Sequence, residues 1–190
     1  MQTRNLLKLA LAAAVVGWPV PAAAQDSAAS EALFNKGVAE MKAGRYEVAC
    51  PALLESQRLE ARAGTVFALA ECEAKWGKLA TAVSRYSDYV NLVSRMEGAD
   101  EKRHRSRAKK AKAAMDELRA KVPQLTLVLP ENAPSGTVVK RDGVPLSGVS
   151  LGMALPVDPG EHVLSTQVPG GPEHEQKVTI AVRERKRLEL

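Results

Sequence analysis

The stretch LFNKGVAEMKAGRYEVACPAL, residues 33–53, laid over VFALAECEAKWGKLATAVSRY, residues 66–86, gives a self-match at an offset of 33 residues. Gly44 falls on Gly77, Ala49 on Ala82, Gly37 on Ala70 and Leu53 on Tyr86. Each copy holds an apolar stripe at helical spacing, a glycine, and a second stripe. In the first copy these are Leu33, Phe34, Gly37, Val38 and Met41, then Tyr46, Ala49, Leu53 and Leu54. That pattern predicts paired helices around a glycine turn. The small residues mark where antiparallel backbones approach, and bulky Leu53 and Tyr86 fill the space between them.

With its small-then-bulky pattern and its period, the segment from Ser30 to about Met96 resembles the tetratricopeptide repeat. The resemblance implies two stacked hairpins whose first helices line a concave groove. Carried over by matching position, the partner-binding surface comprises Phe34, Val38, Met41 and Lys42 from the first repeat, and Phe67, Glu71, Ala74 and Lys75 from the second. Apolar anchors with mixed charge suit a peptide, the alternative being that Phe34 and Phe67 are buried by a neighbouring element.

Two such units leave an apolar face open, because stacked repeats rely on a neighbour. The segment from Asp100 to Val122 supplies one: Ala108, Ala111, Met115, Leu118 and Val122 recur at spacings of 3, 4, 3 and 4, as a capping helix requires. The same helix carries Lys102, Arg103, Arg105, Arg107, Lys109, Lys110 and Lys112. No aromatic residue interleaves this run for base stacking, so no nucleic-acid partner is expected. A solvated face is the simpler reading, and contact with an anionic membrane or acidic envelope polymer the alternative.

Cys50 and Cys72 are the two cysteines of the chain. Stacking, as the resemblance implies it, makes their helices neighbours, and an exported chain permits a disulfide. A disulfide is the expectation and buried free thiols the alternative. A catalytic thiolate has no His in either hairpin to activate it, and two cysteines 22 residues apart lack the second pair of ligands that zinc needs. Pro51 is expected close to the first turn of its helix, where backbone donors have no helical partner.

Export is read from the first residues. Arg4 and Lys8 form a positive region, Leu9 to Val16 an apolar run, and Ala22-Ala23-Ala24 a cleavage site, so residues 1–24 are expected to be a signal peptide and the protein periplasmic or secreted. Gly17 and Pro19 break the run, making a membrane anchor the weaker reading, and no cysteine at the cleavage site suggests a lipoprotein. Removing the segment takes away Arg4 and Lys8 and no acid, so the formal charge falls from +5 to +3, too mild for a dedicated polyanion binder.

After Pro123 the composition shifts from Ala, Glu, Lys and Arg to Val, Leu, Pro and Gly, and the apolar period becomes two, with Leu125, Leu127 and Leu129 on one side of QLTLVL. Further strands are expected at TVVKR, LGMALPV, HVLSTQV, QKVTIAV and KRLEL, between turn signals such as Asp142-Gly143 and Asp158-Pro159-Gly160. The fold class is therefore α+β in two domains: a helical domain over 25–122 and a small antiparallel β-sandwich over 123–190. The stretches VVKRDGVPLSGVSLG and LPVDPGEHVLSTQVPGG resemble the PEGA family of small extracytoplasmic β modules, which implies a positioning role and no catalysis.

Gly148-Val149-Ser150-Leu151-Gly152 matches the G-x-S-x-G motif, with Asp158 and His162 nearby. A nucleophile elbow needs a helix after the motif, and here another strand follows, so no catalytic residue is assigned. His104, His162 and His174 fall on different elements and are read as exposed polar residues, and no metal or cofactor is expected. The functional expectation is a non-catalytic protein-interaction or scaffold protein of the bacterial cell envelope. The alternative, a polysaccharide- or wall-binding module with the helices as spacer, is weakened because residues 124–190 contain no Trp, Tyr or Phe.

Overall fold

The computed structural model describes residues 22–190. The proposed signal peptide lies outside the described residues except for Ala22-Ala23-Ala24, which open the first helix. Among the described residues five α-helices precede seven strands: α1 (Ala22–Lys42), α2 (Tyr46–Leu59), α3 (Ala63–Trp76), α4 (Leu79–Val93) and α5 (Gly98–Arg119), then β1 (Gln124–Val128), β2 (Val138–Arg141), β3 (Val144–Leu146), β4 (Ala154–Pro156), β5 (Gly160–Gln167), β6 (Glu173–Ile180) and β7 (Arg185–Glu189). No described helix is long and apolar enough to cross a membrane. The chain is α+β in two parts, as its change of period predicts.

Helices α1 and α2 form one hairpin and α3 and α4 a second, turning at Gly44 (φ +76) and Gly77 (φ +85). Both glycines adopt the left-handed conformation that a side chain resists. Gly37 is small for a different reason: a Cβ there would stand 2.6 Å from Leu53 Cγ and 3.1 Å from the Ala49 carbonyl oxygen. In the second hairpin the matching residues Ala70 and Ala82 are fully buried, and Tyr86 nearly so. The first hairpin also closes on a reciprocal pair, in which the Ser30 hydroxyl donates to the Ser56 carbonyl at 3.0 Å and the Ser56 hydroxyl to the Ser30 carbonyl at 2.8 Å. Both serines are buried, and this mutual bonding compensates their desolvation.

Cys50 of α2 and Cys72 of α3 form a disulfide with their Cα atoms 5.7 Å apart, joining the two hairpins. It sits among Ala49, Leu53, Ala68 and Leu69, all buried. Pro51 departs from expectation. It is the sixth residue of α2, beyond the first turn, so the helix runs through it without a bond to the Glu47 carbonyl.

Helix α5 covers the second hairpin. Ala111 is fully buried against Phe67, Ala70, Tyr86, Tyr89 and Val93, and Ala108, Met115 and Leu118 pack beside it. The expected stripe is thus the observed contact face up to Leu118.

The β half is two sheets around one core, with strand orders β4-β1-β7 and β3-β2-β5-β6. Leu125, Leu127, Val139, Val157, Leu164, Val178 and Ile180 fill the space between them. Asp142 (φ 52) and Gly143 (φ 77) make the two-residue turn between β2 and β3, both central residues having the positive φ of a type I′ hairpin. Two features depart from expectation. Strand β3, containing Pro145, is an additional antiparallel edge strand, where a missing backbone donor is tolerated. Strand β7 lies parallel to β1, because the chain crosses from β6 in the other sheet and returns beside β1 in the same direction.

Candidate interaction surface

The residues assigned to the groove separate into two groups. Phe34, Val38 and Met41 of α1 lean on the disulfide cluster and are half-buried there. Lys42 and Lys75 are exposed in the last turns of α1 and α3, where cations favour the negative helix end. Glu71 is half-buried; together with burial, the larger cause, its carboxylate pushes the Tyr86 phenol up to about 12.

Phe67 corrects the picture of an open groove along the second repeat. It is 8% exposed, its ring centroid lies 6.1 Å from Tyr86 and 5.1 Å from Tyr89, and the Arg107 guanidinium of α5 stands 6.0 Å from it. The capping helix covers this side of Phe67. Ala74 likewise packs at the edge of this core.

A smaller concavity remains where α1, α3 and α5 meet, a cavity of about 250 Å³ lined by Phe34, Gly64, Thr65 and His104, with Glu31 and Arg62 among its charged residues. Gly64 lines it beside Arg107, and a Cβ there would make no more than ordinary contact with that side chain, at 3.9 Å. The Tyr89 hydroxyl and His104 Nδ1 share a 3.0 Å hydrogen bond, so this histidine is half-buried and tied to α4 instead of being an exposed polar residue. Thr65, Gly64 and His104 escape the sequence reading because α5 enters it only as a cap. The signal available is the position of His104 four residues before Ala108 on the covering face.

On the outer side of α5, Arg103 pairs with Asp100 at 3.6 Å and Arg105 with Glu101 at 2.7 Å. Lys102, Lys109, Lys110 and Lys112 are exposed, and among the described residues no carboxylate lies within ion-pairing distance of them. Lys109 and Lys112 also border a cavity of about 430 Å³ between α4 and α5, whose apolar lining is Val90, Val93, Met96 and Ala108.

The seam between the halves carries polar contacts beside an apolar section at Ala80, Val83, Val122 and Pro156. Lys78, at the N-terminus of α4, supplies no side-chain cap. Asp158 of the β half takes that role: its carboxylate accepts from the Thr81 N–H at 3.0 Å and from the Thr81 hydroxyl at 2.6 Å. His162, read as exposed in the sequence, is in fact 8% exposed, with Nδ1 2.7 Å from the Asp142 carboxylate and Nε2 2.7 Å from the Asp158 carbonyl oxygen. Behind the seam Glu73 is buried 3.7 Å from Arg85, and neither its Oε2 nor the Arg85 Nε has a hydrogen-bond partner. Burial, opposed by Arg85 and reinforced by Asp158, pushes the Glu73 carboxyl up to about 7.

Ser150, Asp158 and His162 are not assembled as a triad. The Ser150 hydroxyl is 2.9 Å from that of Ser147 in a 3-10 turn, and both nitrogens of His162 are engaged elsewhere. His174 is exposed on β6. Among the described residues no group of three or more His, Cys, Asp or Glu is placed to hold a metal ion.

No family model matches the chain, and no curated protein matches it in sequence.

Proposed function

We infer that the protein is an exported scaffold of the cell envelope, in which tetratricopeptide-type hairpins bind a polypeptide and a PEGA-like β module positions them. The observation that carries this reading is the concavity at Phe34: an aromatic anchor half-open at the meeting of three helices, beside charged Glu31 and Arg62. Anchors of this kind receive apolar peptide side chains while the charged residues select their neighbours. Phe67, covered by α5, is assigned to stability and leaves the binding set. Selection from a random peptide library with the intact protein tests the reading. Selected peptides are expected to lose at least about tenfold in affinity for Phe34→Ala, the loss of one well-packed anchor. Peptides that bind Phe34→Ala as tightly as wild type contradict it.

A second reading is favoured by Lys102, Lys109, Lys110 and Lys112, exposed without acidic partners. It assigns the α5 surface to an anionic membrane or acidic envelope polymer, with binding that weakens as salt screens it. Co-sedimentation with anionic vesicles across a salt series separates it from the first reading, because Phe34→Ala leaves it unchanged.

A further inference from the structure

The seam between the halves carries an open cleft of about 490 Å³ lined by Ser84 and Arg85 of α4 and by Arg141, Asp142, Asp158 and His162 of the β half, among others. Each carboxylate oxygen of Asp142 and Asp158 already has one partner. Both Asp158 oxygens are taken by Thr81. Asp142 faces His162 with Oδ2 and accepts the Val163 N–H at 3.0 Å with Oδ1, and His162 spends its other nitrogen on the Asp158 carbonyl.

The two arginines are held only by long ion pairs. Arg85 comes no closer than 3.7 Å to Glu73, and its buried Nε has no acceptor; Arg141 lies 4.0 Å from Asp142, whose oxygens already bond to His162 and the Val163 N–H. Among the described residues neither guanidinium makes a hydrogen bond within the geometric limits of a normal one. The two guanidiniums are therefore unpartnered hydrogen-bond donors of the cleft, and the unpartnered Glu73 Oε2 stands 3.7 Å from one of them. A buried donor without an acceptor is costly, and planar guanidinium forks match oxyanions.

We propose that this cleft binds the oxyanion group of a small molecule, a carboxylate or a phosphate, between Arg85 of the helical half and Arg141 of the β half. The ligand bridges the seam and holds the halves in one orientation. Among the described residues, the side-chain hydrogen bonds that cross the seam are the two from Thr81 to Asp158, so one further bridge changes the stiffness of the junction appreciably.

The test is an NMR titration of the intact protein with inorganic phosphate and, separately, with succinate, each against chloride at equal ionic strength, following the Arg85 and Arg141 Nε–H signals. Saturable shifts at both arginines are expected, with phosphate alone, succinate alone or both assigning the source of the oxyanion. Arg141→Gln, at the half-buried last residue of β2, is expected to weaken binding at least about tenfold, as is the loss of a charge-assisted hydrogen bond generally, with an unchanged amide spectrum of the free variant showing that it folds. Arg85→Lys, which keeps the charge beside Glu73, is expected to weaken it through loss of the fork. Shifts that do not saturate, that chloride reproduces, or that persist unchanged in Arg141→Gln overturn the proposal.

Discussion

Asp158, in the loop between β4 and β5, caps helix α4 through Thr81, so the helical half is completed at that end by a residue 77 positions further along the chain. Loss of an N-terminal cap costs about 1 kcal/mol. Asp158→Ala is expected to lower stability by that amount in urea titration. It is also expected to widen the distance distribution between labels at Lys42 and Glu175, measured by energy transfer. An Asp158→Ala protein with unaltered stability and label distances contradicts the capping role.

Gly37 and Gly44 separate two reasons for glycine. Alanine at Gly37 meets Leu53 at 2.6 Å and overpacks the hairpin, for a loss of about 1–3 kcal/mol. Alanine at Gly44 meets nothing within 4 Å, and its cost is the positive φ alone, about 1–2 kcal/mol. A Gly44→Asn variant, which tolerates the left-handed region, is expected to recover much of the loss, whereas Gly37→Asn is expected to be worse than Gly37→Ala. Denaturation midpoints of the four variants check this.

The disulfide closes a separation of 22 residues. The chain-entropy relation gives roughly 3 kcal/mol for a loop of this size. Reduction, or Cys50→Ala with Cys72→Ala, is expected to lower the urea midpoint accordingly while leaving the helical signal intact in the absence of denaturant. Equal midpoints in oxidised and reduced protein contradict the estimate.

Glu73 imposes a pH dependence. Burial pushes its carboxyl up to about 7 in the folded chain from an ordinary value of 4.5, so between these values the native state binds more protons than the unfolded chain. Stability consequently falls as pH rises from about 4.5 to about 7, and this contribution is level above and below that window. Glu73→Gln is expected to remove the slope and to stabilise the protein in mildly alkaline buffer. Urea midpoints measured across the window read both effects, and an unchanged slope in the variant excludes Glu73 as its source.

What the sequence reveals and what it conceals follow from the range of the interactions. Gly37, Ala49 and Leu53 announce the hairpin because their spacing is local and helical, and Leu125 and Leu127 announce β1 because alternation is local too. Asp142-Gly143 marks a turn for the same reason. The strand after it is obscured by Pro145, which reads as a break until β3 is seen to lie at a sheet edge. Phe67 illustrates the opposite case: its position in the repeat predicts a groove, and only the packing of α5 across it decides that it is core. His162 and Asp158 look like motif residues or surface residues in isolation. Their bonds to Asp142 and Thr81 are made across the fold, and no periodicity encodes them.

The most direct test of the account is the amide spectrum of the intact protein with and without a peptide selected on it. The account predicts shifts concentrated at Phe34, Gly64, Thr65 and His104, with the β half unaffected beyond the seam. Shifts confined to residues 124–190, with those four unmoved, contradict it.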